Sequence, residues 1–158
     1  GETRFINLRK AYVALPEKKK QEIDGLKALF RHQHSIFKKS TNDPSLVLPK
    51  LSKEEAKEVP DVIHPVVRTH PENGTKALFI TNTRTEFVIN MEASESEALL
   101  QSLYSHIYSD RFQYHHHWRK SDMVMWDNRC LLHAATPNVP DGEKRRLFRT
   151  ILEGSRPV

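Results

Sequence analysis

The chain has 158 residues, 37% hydrophobic and 28% charged, which is one domain's worth of sequence with enough apolar content for a core. No apolar run approaches the ~20 residues that span a bilayer, and the single cysteine, Cys130, excludes an internal disulfide framework and fits a reducing, cytoplasmic setting. The net charge of +5 suits small anionic partners better than nucleic acid, because the lysines are not interleaved with aromatic residues in any nucleic-acid-binding motif.

In chain order, residues 3–8 could form a short strand. The spacing of Ile23, Leu26, Leu29 and Phe30 after Pro16 predicts a helix over 16–34. Residues 38–60 are rich in Lys, Ser and Pro and read as a mobile excursion with one short helix, opened by the capping-box pattern Ser52 to Glu55. From residue 61 the chain turns β-rich. Ile63–Val67 and Ala77–Ile80 flank the turn residues Pro71, Asn73 and Gly74, so 63–80 reads as a hairpin. Ser94–Ser109 predicts a helix with Ala98, Leu99, Leu103 and Ile107 on one face. Phe112–Trp118, Met123–Trp126 and Leu147–Leu152 predict further strands. Strands outnumber helices, which suggests an all-β or β-rich sandwich with helical decoration.

Several residues could carry chemistry. His133 follows the predicted strand Met123–Trp126, and imidazole is the commonest metal ligand near neutral pH, although a core or turn histidine would show the same spacing. Arg145 and Arg149 are four apart and would share a face of the last predicted strand. A pair of guanidiniums on an inward face calls for anions, and a salt-bridged surface strand is the plain alternative. In His115-His116-His117, alternation sets His115 and His117 opposite His116, which reads as a half-exposed strand rather than a metal site. His70-Pro71-Glu72 reads as a hairpin turn, and Cys130 as a packed thiol.

Taken together, these stretches resemble the taurine/2,4-D dioxygenase (TauD/TfdA) family of Fe(II)- and 2-oxoglutarate-dependent oxygenases. The likeness rests on Trp126-Asp127-Asn128-Arg129 followed by His133-x-Ala135, and on His64-Pro65-Val66-Val67-Arg68-Thr69-His70-Pro71 with Gly74 and Ala77-Leu78-Phe79. Glu95–Leu100 and the closing Gly154-x-x-Pro157 add to it. The resemblance implies a double-stranded β-helix, a clavaminate synthase-like jelly roll incomplete at its N-terminus, with 1–158 as the C-terminal portion of one domain. Residues 15–60 would be a helical lid excursion and 61–158 the jelly-roll strands with helix 94–109.

By the same resemblance, His133 is one of three iron ligands, and the His-x-Asp pair that completes the set is expected upstream of Gly1. Thr3 and Arg145 would hold the 2-oxoglutarate carboxylate, and Arg149 would face the co-substrate or an anionic substrate. The implied activity is oxidation, most simply hydroxylation, of a C–H bond of a small anionic molecule with Fe(II), 2-oxoglutarate and O2, releasing succinate and CO2. A related iron halogenase or desaturase and a non-catalytic jelly-roll module that binds a small anion are the alternatives. A homo-oligomer is compatible with the family, and neither nucleic acid nor membrane is an expected partner. Thr83-Arg84-Thr85 replaces an aromatic-containing loop of the sulfonate-oxidising members. Arg84 is therefore either a new anion contact or a surface charge.

Overall fold

The computed structural model describes residues 1–32, 52–136, 142, 145–154 and 157. The first strand, β1 (Glu2–Asn7), runs directly into α1 (Leu8–Val13). The switch occurs at Asn7, whose extended backbone and side-chain oxygen, accepting from the Lys10 N–H at 2.9 Å, start the helix. This helix is absent from the sequence expectation, which has only the strand.

The predicted helix over 16–34 is instead a short helix, a turn and a strand: α2 (Glu17–Ile23), then β2 (Lys27–Phe30). Gly25, at φ +72°, takes the left-handed conformation that ends the helix. The apolar run after it is too short for its period to separate helix from strand. Pro16 stands at the N-cap rather than inside the helix.

Of the excursion, α3 (Lys53–Glu58) and its flanks are described, and its Ala56 N–H reaches the Ser52 carbonyl at 3.0 Å. The short helix expected there is present; the Glu55 side chain and residues 33–51 lie outside the described residues.

The 63–80 segment differs from one simple hairpin. β3 (Val62–Pro65) pairs with β2, and the hairpin proper joins β4 (Val67–Thr69) to β5 (Lys76–Leu78). Val66 is the corner. Its side chain is fully buried, its N–H goes to the Leu26 carbonyl, and its carbonyl accepts from the Phe79 N–H. The hairpin turn is where expected, with Gly74 at φ +68° and the Asn73 side chain capping Thr75.

After β6 (Thr85–Val88) comes α4 (Ala93–Ile107), two residues shorter at its C-terminal end than expected. Glu92 caps it by accepting from the Ser94 N–H at 2.8 Å. Its inner face is Ser96, Leu99, Leu100, Leu103, Tyr104 and Ile107, whereas Ala98 is exposed. The buried Ser96 is satisfied by accepting from the Val88 N–H at 2.8 Å, which fastens the end of β6 to the helix.

A single helical turn (Asp110–Phe112) leads into β7 (Gln113–His117), within the predicted 112–118 strand. The last strand, β8, is Leu131–Ala135. The predicted strand Met123–Trp126 is irregular, with Met123 and Met125 exposed. Leu147–Leu152 is likewise irregular and exposed, without a ladder partner among the described residues. Arg145 and Arg149 therefore do not sit on a strand, and the alternation argument for their shared face does not hold.

Three antiparallel sheets result, in the orders β7-β1-β8, β3-β2-β6 and β4-β5. A continuous core joins them to the helices through Leu8, Ile23, Leu78, Ile80, Leu103 and Ile107, all nearly or fully buried. Each such side chain contributes about 1.5–3 kcal/mol on leaving water. His106 Nε2 meets the Ala11 carbonyl at 2.8 Å and ties α4 to α1. This packing holds one face of the β7-β1-β8 sheet, and β1 at its centre holds the candidate site.

Candidate functional site

Period-2 alternation and the observed registers decide which side chains meet on the central sheet. Thr3 lies opposite Ala135 and His116, and Phe5 opposite His133 and Tyr114. Directly opposed residues share a face. Thr3, Phe5, Tyr114, His116 and His133 therefore line one side, while Glu2, Arg4, His115 and His117 line the other.

His133 lies within β8, not past the end of a strand as its sequence neighbours suggested. Its ring packs on Trp126 at 4.9 Å and on Phe5 at 6.3 Å between centroids. Trp126 meets Phe5 edge-on at 5.2 Å. The residue as a whole is exposed to solvent. Desolvation among these rings, and then the positive charge of Arg149, push the His133 pKa below its ordinary value. The shift favours the neutral form, the one that can ligate a metal.

Thr3 is 5% exposed. Its hydroxyl oxygen accepts two hydrogen bonds, from Arg145 Nη2 at 3.0 Å and from Trp118 Nε1 at 2.9 Å. The structure thus brings together the two residues assigned to a carboxylate clamp, 142 positions apart in sequence. Arg145 Nε is buried and meets no hydrogen-bond partner among the described residues. Such an N–H is costly to leave unmade, and an anion beside it would remove the cost. Arg149 is exposed and near enough to His133 to act on it electrostatically. Thr3 and Arg145 therefore meet on the face of the sheet that also carries His133, while Arg149 touches none of them and acts on His133 through its charge.

Trp118 is the residue that sequence reasoning missed. It lies just past β7, and the alternation Tyr114, His116, Trp118 was the available signal for its facing Thr3. The three-histidine strand behaves as expected for a half-exposed strand. Glu2 takes His115 Nδ1 at 2.8 Å and lies 3.5 Å from His117 Nδ1, while His116 Nε2 lies 3.2 Å from Asp122 without making a hydrogen bond to it. Among the described residues no three His, Cys, Asp or Glu side chains are arranged to hold a metal ion.

Within the Trp126-Asp127-Asn128-Arg129 stretch that carries the family resemblance, Asp127 and Arg129 hold structure together. Asp127 accepts from Arg129 Nε and Nη2, from the Arg129 backbone N–H and from His70 Nε2 at 3.0 Å. The Glu72 N–H donates to His70 Nδ1, which leaves the ring proton on Nε2 for Asp127. Arg129 Nη1 also reaches Glu72 at 2.7 Å. The Arg129 guanidinium, first, and His70 hold the Asp127 carboxyl far below the usual carboxylate range. This network pins the β4–β5 turn beside the start of β8, and His70-Pro71-Glu72 is a turn with a structural histidine. Cys130 is buried, with its thiol pushed up by desolvation, as a packed cysteine should be. Arg84 bonds the His32 carbonyl.

A family model described as "Taurine catabolism dioxygenase TauD, TfdA family" matches residues 1–151. An alpha-ketoglutarate-dependent 2,4-dichlorophenoxyacetate dioxygenase of a Burkholderia species is 37% identical over 133 residues, covering 84% of this chain and 42% of the relative. The (S)-phenoxypropionate/alpha-ketoglutarate-dioxygenase of Sphingobium herbicidovorans is 38% identical over 138 residues, covering 87% of this chain and 47% of that enzyme. Among solved structures, a Burkholderia xenovorans chain assigned to the alpha-ketoglutarate dependent 2,4-D dioxygenases superposes with a TM-score of 0.77 at 32% identity, over 92% of this chain and 54% of that one. AAD-2, crystallised with Mn(II) and N-oxalylglycine, gives 0.68 at 32% identity, over 84% and 49%. The arrangement of strands is that of the double-stranded β-helix of these neighbours. The chain spans a little under half the length of the curated relatives cited.

Proposed function

We infer the function from one premise: this chain belongs to the taurine catabolism dioxygenase TauD, TfdA family. On that premise the protein is an Fe(II)- and 2-oxoglutarate-dependent dioxygenase that hydroxylates a C–H bond of a small organic anion. The observation that carries this reading is the Thr3–Arg145 pair with its buried, unmet Arg145 N–H. The pair suits a carboxylate, and 2-oxoglutarate presents one at the end remote from its keto group.

The chain's own residues divide the work. Arg145 and Thr3 hold the distal carboxylate, the guanidinium by charge and the hydroxyl by a donated hydrogen bond. His133, its neutral form favoured by its aromatic neighbours, is one metal ligand, and the remaining two come from a His-x-Asp pair outside these residues. When bound, Fe(II) supplies the reaction of O2 with the keto acid that releases succinate and CO2 and oxidises the substrate. Phe5 and Trp126 exclude water from one side of His133. Arg149 meets the acid group of the substrate. The rings of Tyr114 and Trp126 on that face favour an aryl acid, in keeping with the phenoxyacid names of two relatives.

The test is an anaerobic Fe(II) titration of the full-length protein with 2-oxoglutarate, following the visible iron-to-keto-acid charge-transfer band. The band should form, vanish in His133→Ala, and need far more keto acid in Arg145→Ala. A folded protein that gives no band would sink the dioxygenase reading and leave an anion-binding module.

A further inference from the structure

We propose that Trp118 is a positioning residue for the co-substrate, one that fixes the Thr3 hydroxyl as an obligate hydrogen-bond donor toward a carboxylate. The proposal rests on the reading of Thr3 and Arg145 as the keto-acid clamp and adds what makes that clamp selective for an anion.

A hydroxyl has one hydrogen and two lone pairs, and in isolation it serves donors and acceptors alike. The Thr3 hydroxyl has lost that freedom. Its oxygen accepts from Trp118 Nε1 at 2.9 Å and from Arg145 Nη2 at 3.0 Å. Neither partner can reverse its role, because an indole N–H and a guanidinium are donors only. Both lone pairs are therefore occupied, and the hydrogen takes the third tetrahedral position. Thr3 is 5% exposed, and no acceptor among the described residues meets that hydrogen. A buried donor without a partner is unfavourable, so the site awaits an acceptor. An anionic oxygen satisfies it; a ligand that offers only a donor leaves the hydrogen orphaned.

Arg145 alone would not achieve this. Without the indole N–H, one lone pair of Thr3 would be free, and the hydroxyl could turn that lone pair toward the ligand and repel a carboxylate. Trp118 removes the second orientation. The indole is itself held in place. His116 meets it edge-on, with centroids 4.6 Å apart and planes at 89°.

The experiment is equilibrium dialysis of radiolabelled 2-oxoglutarate against the full-length protein, with Mn(II) in place of Fe(II) to prevent turnover. Trp118→Phe keeps most of the ring packing and deletes the N–H. It should weaken binding roughly 3- to 10-fold, the worth of one oriented hydrogen bond. In the Thr3→Val background the same change should add no further weakening. Equal weakening in both backgrounds would mean that Trp118 acts by packing alone, and would overturn the proposal. So would unchanged binding in Trp118→Phe while Thr3→Val and Arg145→Ala bind poorly; the clamp reading would then survive alone. If Thr3→Val and Arg145→Ala bind like the wild type, the clamp reading falls and the proposal falls with it. Trp118→Tyr, which also lacks the indole N–H, serves the same comparison if the Phe variant melts early by circular dichroism.

Discussion

Two arginines in this chain, Arg129 and Arg145, have opposite surroundings. Every nitrogen of the Arg129 fork meets a protein carboxylate, with Asp127 taking Nε and Nη2 and Glu72 taking Nη1. Arg145 meets one hydroxyl, and its Nε is buried without a partner among the described residues. A guanidinium whose charge is already matched by two protein carboxylates has little attraction left for an anionic ligand and serves to hold structure together. A guanidinium left partly unmet in a sheltered place is a receptor. Sequence motifs do not make this distinction, because both arginines lie in family-like stretches.

The comparison breaks first if Arg145→Ala leaves ligand binding intact. The expected result is about a 100-fold loss of 2-oxoglutarate affinity by dialysis, since one partner of a sheltered charge pair is gone. Its thermal unfolding should barely move, because no protein carboxylate among the described residues depends on it.

The reverse outcome is expected at the other site. Asp127→Ala should lower unfolding stability by about 2 kcal/mol in denaturant titration, because His70 and Arg129 lose a charged acceptor together. Any effect on the keto acid should be indirect and smaller than that of Arg145→Ala.

A pH series sharpens the same point. The Asp127 carboxyl is depressed below its ordinary value, chiefly by Arg129. Its contribution is therefore complete above about pH 4 and is lost as pH falls through the lowered native value. The stability gap between the wild type and Asp127→Asn should be constant at neutral pH and close only in strong acid. A gap that closes near pH 6 would contradict the assignment.

The smallest effect is expected at Glu72. Its carboxylate is 71% exposed, so Glu72→Gln should cost under about 1 kcal/mol and shrink further in salt. A large loss there would mean that Arg129 relies on more than Asp127.

The sequence made some of this legible. Helix α4, strand β7 and the turn at Asn73-Gly74 follow from periodicity and turn chemistry, and they stand within a few residues of where they were expected. The segment after Gly25 was misread because four apolar positions fit either period, and Ala28 becomes a strand residue only by pairing with β3 and β6. Arg145 and Arg149 were singled out for a geometry they do not have. Arg145 meets Thr3 through tertiary packing that alternation could not reveal. Thr3 itself was visible only through the family resemblance, since a threonine two residues from the chain's start carries no local signal of burial. Trp118 was hidden by the histidines before it, which drew attention to metals rather than to the face that they share.

The pairing of β1 has a consequence for synthesis. The Glu2 N–H bonds the Thr136 hydroxyl, 134 positions away. On a ribosome adding about 5–20 residues per second, on the order of 10 s pass before β1 meets β8. During that interval β1 is a strand with both edges bare, the usual seed of intermolecular pairing. Its outward residues Glu2 and Arg4 carry opposite charges, and the helix α1 follows at once. The opposite charges of Glu2 and Arg4 oppose apolar edge-to-edge pairing of the nascent strand until its late partners emerge. Changing Arg4 to an apolar residue should therefore show up as lost soluble yield rather than as lost affinity.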